Sequence, residues 1–105
     1  MKPNSYKLII TIVNKGKAGK VVDVSHKAGA VGGTILVGHG AAVRLLLGIS
    51  VEPEKDIVLT LIEEDRAQVV LEAIVQEMDL NAPHKGIAFV LSLDQVIGIN
   101  RIPEQ

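Results

Sequence analysis

The chain has 105 residues, 48% of them hydrophobic, and a formal net charge of -1, which allows one compact domain with a sizeable core and leaves no long-range field to attract nucleic acid or an anionic membrane. One Phe, one Tyr and no Trp offer no series of rings for stacking bases, and the absence of cysteine removes disulfides, thiolate zinc sites and cysteine nucleophiles together. No apolar run is long enough to span a bilayer, because Arg44 and Gly48 break the richest one, so membrane insertion is not expected and the expected location is cytoplasmic.

In chain order, Tyr6 to Val13 is rich in β-branched side chains and reads as a strand ending at the turn-forming "NKGKAG". The apolar run at its start alternates and contains Lys7 and Thr11, unlike a secretory h-region. Ala18, Val21, Val22, Ser25 and Ala28 then recur at helical spacing, with Gly29 as the stop. Strand character returns at Thr34 to Val37, and again at Ile57 to Ile62 after Pro53; these two strands are expected to pair antiparallel across a long loop. A second helix follows, with Val69, Val70, Ala73, Ile74 and Met78 along one stripe and Asp65 as N-cap. Ile87 to Leu93 supplies a fourth strand, and Gln95 to Ile99 a short extended tail. The order βαββαβ is that of an α+β, ferredoxin-like split βαβ sandwich, a single domain over residues 1–105.

A helix-backed sheet with its other face in water should alternate apolar and polar residues. These strands do not. Leu8, Ile10 and Ile12 oppose Ile9 and Val13; Ile57, Leu59 and Leu61 oppose Val58 and Ile62; Ile87, Phe89, Leu91 and Leu93 oppose Ala88 and Val90. A second apolar face calls for a partner, since each large side chain buried contributes about 1.5–3 kcal/mol. The expectation is a homo-oligomer packed sheet against sheet.

Chemistry is harder to place. "NKGKAGKVV" sits between strand and helix like a phosphate loop, but only two residues separate its glycines and Val21 follows Lys20, so the P-loop spacing fails. His26, His39 and His84 lack the short local spacing of a metal set, and Ser25, Ser50 and Ser92 carry no nucleophile-elbow signature. No catalytic residue and no metal site is therefore assigned, and the sequence names no cofactor. Two glycine-bearing loops remain as ligand candidates, one at Gly38, His39 and Gly40, the other at "NAPHKG" with His84, Lys85 and Gly86.

The segments "SHKAGAVGGTILVGHG", "LLGISVEPEKDIVLTLIEED" and "HKGIAFVLSLDQVIGI" together resemble the PII-like signal-transduction proteins, including the nitrogen-regulatory PII group, over nearly the whole chain. The resemblance implies a homotrimer whose inter-subunit clefts bind adenine nucleotides or another small metabolite. It also implies a long loop after the second strand that contacts a transporter or enzyme target. Thr34 resembles the family's adenine-side threonine, Gly38 and Gly40 the glycines at the loop base, and Gly86 the last glycine of the phosphate-contacting loop. The departures are specific. Where classical members carry a lysine and two arginines, this chain has Ile87, Gly98 and Asn100, so a triphosphate loses charge-assisted hydrogen bonds worth about 1.5–3 kcal/mol each.

The loop over 39–53 is short and contains no tyrosine to accept a nucleotidyl group. Its Val43–Ile49 patch, with Arg44, Leu45, Leu46 and Leu47, reads either as a docking tip for the partner or as lining of the cleft. The reading that follows is a non-enzymatic, ligand-binding regulator signalling through residues 40–53. The alternative is a ligand-independent trimeric interaction module docking a membrane transporter or enzyme through that patch.

Overall fold

The computed structural model describes residues 5–40, 44–46, 49–51 and 53–99, with side chains for 5–40 and 53–99. Its elements are β1 (Tyr6–Asn14), α1 (Ala18–Lys27), β2 (Thr34–His39), β3 (Arg44–Leu46), β4 (Ile49–Val51), β5 (Glu54–Glu63), α2 (Glu64–Glu77) and β6 (Gly86–Ser92). Four strands form an antiparallel sheet in the order β2-β5-β1-β6, and β3 pairs with β4 in a separate two-stranded ladder. The expected βαββαβ order and the pairing across the long loop both hold.

Register sorts the side chains by face. Ile9, Thr11 and Val13 of β1 lie beside Asp56, Val58, Thr60 and Ile62 of β5, and all are buried. This face meets Ala18, Val21 and Val24 of α1 and Ala67, Val70 and Ile74 of α2 in one core. Fully burying residues such as Ile9, Ile74 and Val70 stabilises by about 1.5–3 kcal/mol each. The stripe of α2 is rotated from the expected one: Ala67, Val70, Ile74 and Met78 face the core, and Val69 is 56% exposed. Residues 67, 70, 74 and 78 keep the three- and four-residue steps of one helical face, which Val69 breaks.

The N-terminus of α2 also differs from expectation. The cap position is Glu63, not Asp65, and no side chain caps it. Strand β5 runs straight into the helix, and the first helical amide, Glu64 N–H, donates to the Ser5 carbonyl at 3.0 Å. A tertiary backbone acceptor thus replaces the side-chain cap. The first helix ends as expected beside Gly29 at φ +122, where Ala30 N–H donates back to the Ser25 carbonyl.

Strand β5 begins at Glu54, before the first apolar residue of its run, because it is paired on both sides: His39 lies opposite Glu54, and Asn14 opposite Lys55. The tail at 95–99 adds no strand to the sheet, and Ile97 stands 84% exposed.

On the sheet face away from the helices lie Leu8, Ile10 and Ile12, Leu36, Ile57, Leu59 and Leu61, and Ile87, Phe89 and Leu91. Nothing in this chain's helices covers them, and Leu36, Leu61, Ile87, Phe89 and Leu91 are exposed. Edge strand β2 is apolar on both sides, with Ile35 and Val37 exposed on the opposite face. Among the described residues, Thr11 and Thr60 are wholly buried in the core, and neither hydroxyl has a hydrogen-bond partner there.

Candidate functional site

Strands β1 and β2 finish, and β5 and β6 begin, at one end of the sheet. The sequence places its polar and glycine residues there: Asn14, Gly38, His39, Glu54, Lys55 and Gly86 occupy the last or first positions of their strands. Of the residues singled out for a ligand, Gly38, His39 and Gly40 stand at this end on β2, and His84, Lys85 and Gly86 on the turn entering β6. Thr34 is at the other end of β2, opposite Leu59, about 13 Å along the strand from Gly38. The two glycine loops lie on opposite edges of the sheet, three strand spacings or about 14 Å apart.

At the β2 edge, Gly40 N–H donates to the Pro53 carbonyl at 2.7 Å and closes the base of the 40–53 segment. A Cβ at Gly38 would lie 3.0 Å from Ile57 Cδ1, and one at Gly40 would lie 3.5 Å from Lys55 Cε. Beside this base, Lys15 Nζ donates to Glu54 Oε1 at 2.6 Å. The hydrogen bond and charge of Lys15 hold the Glu54 carboxyl below its ordinary value, and the same contact holds the Lys15 ammonium above its own.

Between β1 and α1, the turn that resembles a phosphate loop is already occupied by the protein itself. Asp56 Oδ2 accepts from Gly16 N–H at 2.9 Å and from Ala18 N–H at 3.2 Å. The carboxylate satisfies amides at the positive end of α1, in the place a bound anion would take. No local signal announces this contact, because its partners are about forty residues apart in the chain.

At the β6 edge, His84 has φ +65, a conformation uncommon for a side chain with a Cβ. Asn14 Nδ2 donates to the His84 carbonyl at 3.1 Å, while Asn14 Oδ1 accepts from Lys55 Nζ at 2.8 Å. Gly86 has φ +137, and a Cβ there would stand 2.5 Å from the Ile12 carbonyl oxygen. Only glycine fits this crossing.

The three histidines are apart: His26 on α1 with Nδ1 3.1 Å from the Ala30 carbonyl oxygen, His39 at the end of β2, His84 in the β6 turn. Among the described residues no cluster of three or more metal-ligating side chains occurs, and no helix is long and apolar enough to cross a membrane. Arg44, Leu45 and Leu46 form β3, paired with Val51, Ser50 and Ile49. Leu47 lies outside the described residues, as does Asn100. The sequence carried a signal for this ladder that the reading as a plain loop passed over: two short apolar runs separated by Leu47-Gly48, a two-residue connection with a glycine.

No family model matches the chain, and no curated protein matches it in sequence. Its fold does match solved structures. The B. subtilis GlnK structure superposes with a TM-score of 0.67 at 14% identity, covering 87% of each chain. A B. subtilis GlnK–ATP complex superposes with a TM-score of 0.69 at 15% identity, covering 88% of this chain and 87% of the other. GlnK is a PII protein, and the chain has the PII fold, an antiparallel four-stranded sheet backed by two helices.

Proposed function

We propose that the chain is a non-catalytic PII-like regulator that assembles as a homotrimer, binds a small metabolite between subunits and signals to a partner protein through residues 40–53. The observation that carries this reading is the sheet with its uncovered apolar face and its two glycine loops on opposite edges. Within one chain, the loops lie on opposite edges of the sheet with β5 and β1 between them. A ring that sets the β2 edge of one protomer beside the β6 edge of the next unites them in a cleft and buries the open face. The match to a GlnK structure solved with ATP makes an adenine nucleotide the first ligand to test. The candidate contacts are Thr34, Gly38, His39 and Gly40 from one edge and His84, Lys85 and Gly86 from the other.

Light scattering coupled to gel filtration is expected to give three times the chain mass of 11.2 kDa. Calorimetry against ATP, ADP, AMP, cyclic dinucleotides and 2-oxoglutarate is expected to give saturable heat with an adenine compound. A monomer refutes the assembly, and no heat with any adenine compound refutes the nucleotide.

One observation favours the second reading, a ligand-independent trimeric module docking a membrane transporter or enzyme through the Val43–Ile49 patch. The position that the PII resemblance gives to a cation holds Ile87, an aliphatic side chain 57% exposed. Hydrogen exchange of the 40–53 segment separates the two readings, since protection that is unchanged under saturating ATP and 2-oxoglutarate supports the module.

A further inference from the structure

Two side chains, Asn14 and Lys55, reach in series from the β6 turn toward the β2 edge across this end of the sheet. Asn14 closes β1, directly opposite Lys55 of β5, and Lys55 lies in turn directly opposite Gly38 of β2. The aliphatic stem of Lys55 passes the base of the 40–53 segment, with Cε 3.5 Å from the place a Cβ would take on Gly40. Its ammonium donates to Asn14 Oδ1, and the other end of the Asn14 amide donates to the His84 carbonyl.

We propose that Asn14 is a coupling residue, linking the conformation of the His84–Gly86 turn to that of the Gly38–Gly40 base through Lys55. The chemistry suits the role. A primary amide offers an acceptor and a donor at opposite corners of one rigid plane, so a shift of either partner moves the other's partner as well. Both segments it joins are conformationally constrained. His84 is held at φ +65, and Gly86 crosses the Ile12 carbonyl where no side chain fits; Gly40 is held by its 2.7 Å bond to Pro53. A turn that moves on contacting a ligand therefore pulls on the base of the segment 40–53 without any change in the sheet. Coupling of this kind is reciprocal. Its use in signalling rests on the function proposed above, but the link itself does not.

The test needs no ligand. Lys55→Met keeps the stem and removes the ammonium; Asn14→Asp keeps an oxygen for Lys55 and removes the donor to His84. Amide chemical shifts and hydrogen exchange of residues 84–86 are measured by NMR in the wild-type chain, both single variants and the double variant. Circular dichroism and the urea midpoint confirm that each is folded. In the wild-type background, Lys55→Met is expected to shift the 84–86 amides and raise their exchange roughly threefold to tenfold, the loss of one hydrogen bond. In the Asn14→Asp background, the same substitution is expected to leave them unchanged. Silence in the wild-type background, or an equal response in both, overturns the proposal. If this cycle fails while ATP still binds, the coupling alone is refuted; if it succeeds without any ATP heat, the coupling stands and the nucleotide reading falls.

Discussion

The carboxylate of Asp56 offers the sharpest test of how the site end of the sheet is held together. It is 9% exposed, and its Oδ2 alone accepts both the Gly16 and Ala18 amides, the second of these bonds being buried. Asp56→Ala leaves the buried Ala18 amide without its charged acceptor, a loss of about 1.5–3 kcal/mol. The Gly16 amide, on an exposed residue, recovers water and adds at most about 1 kcal/mol. The expected total is about 1.5–4 kcal/mol. Asp56→Asn keeps an oxygen at the same place and loses the charge and its interaction with the helix dipole, so about 1–2 kcal/mol is expected. Urea unfolding at fixed protomer concentration measures both. The midpoint should fall by roughly 1–2 M for the alanine variant, with the slope unchanged. A thermal midpoint lower by roughly 10–25 °C should accompany it. A loss within about 0.5 kcal/mol, the range of an ordinary surface substitution, would falsify the view that this carboxylate holds the turn and the helix start. So would equal losses for Ala and Asn.

Four further outcomes follow from the same geometry. Thr60→Val replaces a wholly buried, unpaired hydroxyl by a methyl group of the same shape and is expected to stabilise by about 1 kcal/mol, seen as a higher urea midpoint; destabilisation would mean that the hydroxyl has a partner. Gly86→Ala forces a Cβ against the Ile12 carbonyl at positive φ and is expected to cost about 2–4 kcal/mol, with a neutral result in thermal melts counting against the close crossing. The Lys15–Glu54 pair gives a pH signature. The lowered Glu54 value means that its contribution is present above 4.5 and lost as pH falls through the folded value. The raised Lys15 value means that the contribution is present below 10.5 and lost as pH rises through the folded value. The difference in urea midpoint between wild type and Glu54→Gln should be flat between these limits and shrink steadily as pH falls below 4.5; a difference that does not shrink below 4.5 would exclude the pair as its source. Leu59→Glu places a charge in the middle of the uncovered face and is expected to reduce the assembled mass, read by light scattering, while far-UV circular dichroism is retained. An unchanged mass would refute assembly through that face.

The sequence by itself determined the order of strands and helices, the antiparallel pairing of β2 with β5, and the doubled apolar character of the sheet. All of these are local patterns, since period and composition within ten residues distinguish a strand at Tyr6–Val13 from a helix at Ala18–Ala28, and register then follows from which side chains must be buried. It also marked the two glycine loops, of which Gly86 sits where the chain crosses the Ile12 carbonyl and Gly38 beside the tip of the Ile57 side chain. What only the tertiary structure decided are the contacts made across the chain. Glu54–Asp56 reads as a polar approach to a strand, yet it is strand because Asn14 and His39 pair with it from both sides. Glu64 needs no local cap because Ser5 supplies a carbonyl, and Val69 leaves the apolar stripe because helix rotation is set by the sheet beneath it. The same holds at the site end, where Asp56 fills the anion position of the first turn and Asn14 links the His84 turn to Lys55 of β5. These partners are separated by forty to seventy residues, and a side chain's hydrogen bonds depend on where the fold brings backbone amides and carbonyls, which no period in the sequence encodes.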